Sequence, residues 1–387
     1  MEKVSAELRV SKVVALLGPR QAGKTTLARE FSEISGLPFD SGLNYFDLED
    51  PAHVERLRNP KLALEPLCGL VVIDEIQLRP ELFPVLRVLV DRKGSDTRFL
   101  ILGSASRDLI RQGAETLAGR IGFVEVTPFG LAETADWERL WMRGGYPSSF
   151  LAESEEDSWR WRGNYIRTFL ERDIPALGIQ VPAASLRRFW TMLAHYHGQT
   201  FNASELGKSL GVADTTVRRY LDILTGTFMV RRLAPWFENL GKRQVKTPKL
   251  YFRDTGILHH LLGIPDMAAM VVHPKLGASW EGFALEQTIR LSGAGEEEVY
   301  FWGVHSQGEL DLLLVKDGKR HGFEVKYTDR PGVTASQKLA LDCLGLDRLD
   351  IICPGAGSYP LSEKIHVTGL DRVAELFGGG AGEFINH

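Results

Sequence analysis

The residues Gly18-Pro19-Arg20-Gln21-Ala22-Gly23-Lys24-Thr25 satisfy every fixed position of a phosphate-binding loop, G-x-x-x-x-G-K-[ST]. In such a loop the backbone N–H groups turn toward phosphate, and the dipole of the following helix adds to the attraction. Lys24 suits the β- and γ-phosphates of ATP, and Thr25 suits Mg²⁺ through its hydroxyl. The expected cofactor-binding set is Gly18, Pro19, Arg20, Gln21, Ala22, Gly23, Lys24, Thr25 and Thr26, with Asp74 further on. Leu70-Val71-Val72-Ile73-Asp74-Glu75 is an apolar run ending in two acids. Asp74 suits the Mg²⁺ water shell, and Glu75 suits polarising an attacking water as general base. Phe99-Leu100-Ile101-Leu102 runs into Gly103-Ser104-Ala105-Ser106, where Ser104, ahead of Ser106, is placed to sense a γ-phosphate. Serine after a strand is also ordinary loop chemistry. Arg120, closing Leu117-Ala118-Gly119-Arg120, is either an arginine finger or a member of a surface ion pair.

A second constellation lies near the C-terminus. Glu309-Leu310-Asp311-Leu312-Leu313-Leu314-Val315 and His321-Gly322-Phe323-Glu324-Val325-Lys326-Tyr327 flank Lys316-Asp317-Gly318-Lys319. Asp-Gly between alternating apolar residues predicts a two-residue hairpin turn. That turn sets the register: Asp311 faces Glu324 and Glu309 faces Lys326, all on one face. Leu310 against Val325 and Leu312 against Phe323 form the other. Facing acids repel and call for a counter-charge. Mg²⁺ or Mn²⁺ would supply it on hard carboxylate oxygens, with Lys326 orienting or activating a water. The plainer alternative is a ladder of ion pairs in which Lys326 neutralises both acids.

These residues need elements to hold them. From about 10 to 130 the apolar runs Val13–Leu17, Tyr45–Leu48, Leu70–Ile73, Phe99–Leu102 and Phe123–Val126 alternate with helical patterns. A parallel sheet covered by helices is expected. The aromatics Trp159, Trp161, Tyr165 and Phe169 fall on one predicted helix and suit packing. Asn202 can cap a helix ending at Gly211, with Glu205 reaching back as in a capping box, and Asp214 can cap a second over 215–224. Strands Phe228–Leu233 and Leu250–Phe252 then complete a winged helix. Its second helix would expose Thr215, Arg218 and Arg219, and its wing Lys242, Arg243, Lys246 and Lys249. Such a basic face suits DNA phosphates, with protein contacts as the alternative use.

The pieces Gly18 to Thr25, Val71 to Gln77, Gly103 to Ser106 and Leu117 to Arg120 together resemble the prokaryotic AAA-type ATPases. More narrowly, the chain resembles archaeal- and STAND-related members that carry a C-terminal domain of unknown function. Gly144-Gly145-Tyr146-Pro147, Tyr165 to Asp173 and Tyr251 to Gly256 belong to the same likeness without explaining a chemistry. The resemblance implies an ASCE-type sheet with the Ser104 strand between the Lys24 and Asp74 strands. It also implies a homo-oligomer in which Arg120 acts across the subunit boundary. Asp311, Glu324 and Lys326 resemble the PD-(D/E)xK nuclease superfamily, and Glu281 on a predicted helix matches the acid placed first there, with Glu286 as second choice. Leu310 stands where that pattern often has proline.

The expected architecture is therefore α/β and multidomain: a P-loop ASCE/AAA-type parallel sheet over 1–135, a helical connector over 136–182, a winged helix over 183–262, an α/β PD-(D/E)xK-like domain over 270–377 and a flexible tail over 378–387. A chain of 387 residues is long enough for two or three domains. The net charge of −4 gives no global pull toward nucleic acid, so any such affinity must be local. Cys68, Cys343 and Cys353 are scattered and lack histidines at ligand spacing, which fits a reducing cytoplasm. No stretch is long and apolar enough to read as a membrane span.

Overall fold

Every residue of Val13–Leu17 is buried, and this strand, β1, explains why the run carries no polar residue. Its neighbours are β2 (Tyr45–Asp47), β3 (Leu70–Asp74), β4 (Arg98–Gly103) and β5 (Ile121–Glu125). All pair in parallel, in the order β2-β3-β4-β1-β5. Alternate residues serve opposite faces. Val13, Ala15, Leu17, Val71, Ile73, Phe99 and Ile101 build one core, and Val14, Leu16, Leu70, Val72, Leu100 and Leu102 build the other. The Ser104 strand β4 lies between β1 and β3, as the family resemblance implies.

The computed structural model describes residues 1–105, 115–238, 244–305 and 307–378. They form two compact units. The first holds Met1–Pro128 together with Phe169–Val181 and Gly226–Phe228; the second holds the remainder. This division is coarser than the five segments expected, and the 136–182 connector is split between the units. Among the described residues, no helix is long and apolar enough to cross a membrane.

The second unit is built on a nine-stranded sheet. Its strands are β6 (Gln199–Thr200), β7 (Val230–Pro235), β8 (Lys249–Phe252), β9 (Val299–Val304), β10 (Gly308–Lys316), β11 (Lys319–Val325), β12 (Arg348–Cys353), β13 (Ser358–Pro360) and β14 (Ile365–Gly369). Their order is β13-β14-β12-β11-β10-β9-β7-β8-β6. Ala234 and Pro235 of β7 pair in parallel with Tyr300 and Phe301 of β9. The ribbon expected to belong to a separate middle module thus continues the C-terminal sheet. Helices Ala203–Leu210 and Asp214–Gly226 precede β7. The Asn202 side chain caps the first, accepting from Glu205 N–H at 3.2 Å, but the Glu205 carboxylate accepts from the Tyr196 hydroxyl at 2.6 Å instead of reaching back.

Asp317 and Gly318 have φ of 52° and 75°, the left-handed pair that a two-residue hairpin turn needs. Leu312 pairs with Phe323 as expected. The alternation fails one step further on. Against β9 the register of β10 shifts between Leu310 and Leu313, so Leu310 packs with Leu313, Leu346 and Ile351, while Leu312 packs with Phe323 and Val325. A bulge adds a residue and re-aims the side chains beside it.

Two of the family pieces without evident chemistry hold each other in place. Asp254 caps helix Thr255–Leu262, accepting from Ile257 N–H at 2.9 Å, and also takes Gly145 N–H at 2.8 Å. Arg162, wholly buried, donates to the carbonyls of Met142 at 3.1 Å and Gly256 at 3.3 Å.

Candidate functional site

The phosphate loop links β1 to helix Lys24–Ile34. A Cβ on Gly18 would lie 1.9 Å from the Val126 carbonyl oxygen, so no larger residue fits. Gly23, at φ 92°, turns the chain into the helix from a left-handed conformation. Lys24 is buried, its ammonium donating to the carbonyls of Gly18 at 2.9 Å and Pro19 at 2.8 Å. Burial lowers its pKa to about 8, against the pull of Glu75 and Asp74.

The acids after β3 face this loop. Asp74 accepts from Thr25 Oγ1 at 2.7 Å, from the Tyr45 hydroxyl at 3.1 Å and from Glu75 N–H at 2.9 Å. Burial raises its pKa, and these hydrogen bonds partly offset the rise. A hydroxyl beside a buried carboxylate is the hard-oxygen pair that suits Mg²⁺ next to phosphates. Glu75 sits at φ 55°, a left-handed turn that throws its carboxylate toward Arg20, Gln77 and Ser104. Gln77 Nε2 donates to Glu75 and lies 3.0 Å from Ser104 Oγ. Gln77 Oε1 is buried with no partner.

Arg20 is the hub on the other side. Its guanidinium pairs with Glu49 and with Asp173, and lies 3.4 Å from Glu75. Arg172 also reaches Glu49, at 3.1 Å. Burial works against the charge on Arg20, yet Glu75 and Asp173 hold its pKa above the ordinary value. Burial raises the Asp173 pKa in spite of Arg20.

Lys24, Thr25, Asp74, Glu75 and Ser104 therefore converge at the C-terminal edge of the parallel sheet, where ligands of open α/β sheets bind. Arg120 does not join them. Its carbonyl accepts from Val13 N–H at 3.2 Å, which puts it at the start of β1 and β5, the opposite edge. Its side chain pairs with Asp91 at 2.7 Å, matching the surface-pair alternative. Ser106, the second sensor candidate, lies outside the described residues.

In the second unit Glu281, Glu309, Asp311 and Glu324 gather, and so do two lysines. Lys326 pairs with Glu324 at 2.7 Å rather than with Glu309. Glu309 instead pairs with Lys249. Lys249 was expected on a DNA-facing wing, but it is 4% exposed. Its ammonium lies 3.5 Å from Glu281 and 3.9 Å from Asp311. Burial opposes that charge, and Glu281, Asp311 and Glu309 outweigh the burial, raising the pKa. Period-2 alternation in Lys249-Leu250-Tyr251-Phe252 could have placed Lys249 beside Tyr251, whose hydroxyl donates to Glu281 at 2.5 Å.

Asp311 also accepts from Val325 N–H at 2.9 Å, just beyond Leu312 and Phe323, the last regular pair of β10 with β11. Burial, with Asp311 next, pushes up the pKa of both Glu281 and Glu324. Glu286 is remote in role: it is buried and paired with Arg231, Arg253 and Arg290. Among the described residues, no group of three or more His, Cys, Asp or Glu is arranged to hold a metal ion. The divalent ion expected on Glu281, Asp311 and Glu324 thus does not fit this arrangement.

Arg218 and Arg219 on helix Asp214–Gly226 are exposed, and so is Lys246. Lys242 and Arg243 lie outside the described residues.

Comparison with known proteins finds a family match over the segment that holds the first site. Residues 10–135 match a family described as an AAA domain, and the chain carries an AAA-type P-loop ATPase domain on an α/β fold. Residues 134–268 and 276–373 match two domains of unknown function, DUF8612 and DUF4143. The chain belongs to one family with the uncharacterized proteins Rv2008c of Mycobacterium tuberculosis and Mb2031c of Mycobacterium bovis. Each is 50% identical over 368 residues, covering 95% of this chain and 82% of the relative. Among solved structures, the Walker-type ATPase PABY2304 of Pyrococcus abyssi is 16% identical, over 67% of this chain and 94% of its own, with a TM-score of 0.47.

Proposed function

We propose that this protein is an ATP-driven switch that couples its nucleotide state to binding of DNA. The convergence of Lys24, Thr25, Asp74, Glu75 and Ser104 at one edge of the parallel sheet carries this reading. ATP phosphates would lie in the loop from Gly18 to Thr26, held by backbone N–H groups and Lys24. Thr25 and Asp74 would hold Mg²⁺, which supplies positive charge to the phosphates when bound. Glu75, oriented by Gln77 and Ser104, polarises the attacking water. Arg20 and Asp173 link the loop to segment Phe169–Val181, which the chain enters directly from the second unit. That link is the route we infer from nucleotide to load.

For the load, we read the helix pair before β7, with β6, β7 and β8, as a winged helix presenting Arg218, Arg219 and Lys246 to phosphates. The residues after about 270 we read as a PD-(D/E)xK-like fold. Cleavage would need a divalent ion at Glu281, Asp311 and Glu324. The buried Lys249 ammonium favours the second reading, in which this domain binds and does not cut.

The test is ATP hydrolysis by wild type, Lys24→Ala and Glu75→Gln, with DNA binding measured over a salt series with and without ATP. Both variants are expected to lose hydrolysis, Glu75→Gln by roughly 10²–10⁴ while still binding ATP. Normal hydrolysis by Lys24→Ala sinks the ATPase assignment. Arg218→Ala and Lys246→Ala should each reduce the salt slope by about one. Binding with no salt slope would mean that the basic face meets protein instead.

A further inference from the structure

We infer that Lys249 is a built-in cation: its ammonium takes the place of a divalent ion among Glu281, Glu309 and Asp311, and keeps such ions out. Three observations carry this. The ammonium is within 4 Å of carboxylate oxygens from three residues on two elements, Glu281 on helix Leu276–Ser292 and Glu309 and Asp311 on β10. It cannot drift from them easily, because the Lys249 backbone is paired on both sides, with Leu233 of β7 and Thr200 of β6. Its carbon stem is buried, and the ammonium also lies 5.6 Å from the centre of the Phe301 ring.

The spacing suits nitrogen rather than metal. Mg²⁺ draws its oxygens to about 2.0–2.1 Å in near-octahedral order, whereas an ammonium accepts looser company through three rotatable N–H donors. The Glu281 and Asp311 oxygens stand at 3.5 and 3.9 Å from the nitrogen, well beyond the reach of Mg²⁺ coordination to an ion at that point.

The cluster nonetheless retains an appetite for charge. Four carboxylates, Glu281, Glu309, Asp311 and Glu324, face two ammonium groups, Lys249 and Lys326. Glu324 is 7% exposed and its Oε2 is buried without a hydrogen-bond partner. With Lys249 removed, the acids lose the counter-charge nearest Asp311, and a divalent cation becomes the means of restoring it. The site is therefore a latent cation site, closed by one side chain of its own chain.

Mn²⁺ binding to the nucleotide-free full chain tests this, read by calorimetry and by the spin resonance of unbound Mn²⁺. Wild type and Asp311→Asn are expected to bind alike, since the cluster holds no ion in either. Lys249→Met, which keeps an apolar stem and loses the charge, should gain about one equivalent at an affinity at least about tenfold above wild type. The double variant Lys249→Met/Asp311→Asn should lose that gain. Melting of Lys249→Met should rise with added Mn²⁺, and melting of the double variant should not. If wild type binds one more Mn²⁺ than Asp311→Asn, the ammonium does not exclude metal and the inference fails. This comparison stands even where Lys249→Met does not fold. If Lys249→Met folds and binds no more Mn²⁺ than wild type, the inference fails as well.

Discussion

Arg20, inside the phosphate loop, donates to the carboxylate of Asp173, 153 residues further along the chain. The same guanidinium lies 3.4 Å from Glu75, the proposed base. Asp173 thus competes with Glu75 for one positive charge. Asp173→Asn removes the rival, tightens Arg20 on Glu75 and should lower kcat for ATP hydrolysis about tenfold, with KM little changed. Steady-state hydrolysis checks this; an unchanged kcat would mean that the pair is only structural. Arg20→Lys should not reproduce this loss, because a single ammonium cannot span three carboxylates as the planar fork does and so frees Glu75 instead of tightening on it.

Gln77 holds Glu75 on one side and reaches Ser104 on the other. Gln77→Ala leaves the base without its orienting amide. The expected result is a fall in kcat of roughly tenfold at unchanged nucleotide affinity, since a positioned base contributes about 10²–10⁴ in all. A change confined to nucleotide affinity, measured with a fluorescent ATP analogue, would contradict it.

Glu286 anchors three arginines in the interior of the second unit, and these hold its pKa well below the ordinary value despite burial. Removing one partner of a buried ionic cluster leaves the others uncompensated. Glu286→Ala should therefore destabilise this unit by about 3–5 kcal/mol. Denaturant unfolding followed by tryptophan fluorescence would register the loss, and a change below about 1 kcal/mol would speak against the cluster's structural role.

His259 is fully buried, with Nδ1 3.1 Å from the Met142 carbonyl and Nε2 2.6 Å from Ser279 Oγ. Burial lowers its pKa to about 3 from the ordinary 6.5. The unfolded chain therefore takes up a proton in the window from 6.5 down to 3 that the folded chain refuses. Its contribution to stability is complete above 6.5 and falls away as the pH drops, by roughly 2 kcal/mol at about pH 5. His197, also held down to about 3 by burial, adds in the same direction. His259→Asn should flatten the dependence of melting temperature on pH; an unaltered slope would remove His259 as its source.

The legible parts of this protein are those that local pattern determines. Val13–Leu17 was readable as a buried strand because nothing polar interrupts it, and the Asp317-Gly318 turn because few other residues tolerate two left-handed positions. Asp74 and Glu75 were legible from their place at the end of an apolar run. Lys249 was not, because its charge reads as surface until the acids around it are known, and those are drawn from positions far along the chain. Leu310 was misplaced for a related reason. A bulge alters facing without altering composition. Asp173 stood within a family motif, but its partner Arg20 could be named only once segment Phe169–Val181 was known to belong with the first unit.

That membership bears on inheritance and on dissection alike. A fragment ending at Pro128 keeps each of the nucleotide motifs, yet it loses Asp173 and also Phe228, which packs in the core on one face of the parallel sheet. Recombination at that point would pass on the motor with a hole in its core and a loop arginine missing one of its acids. The chain is stitched through its ATPase unit twice more after the last ATPase motif, so no single cut separates the two units.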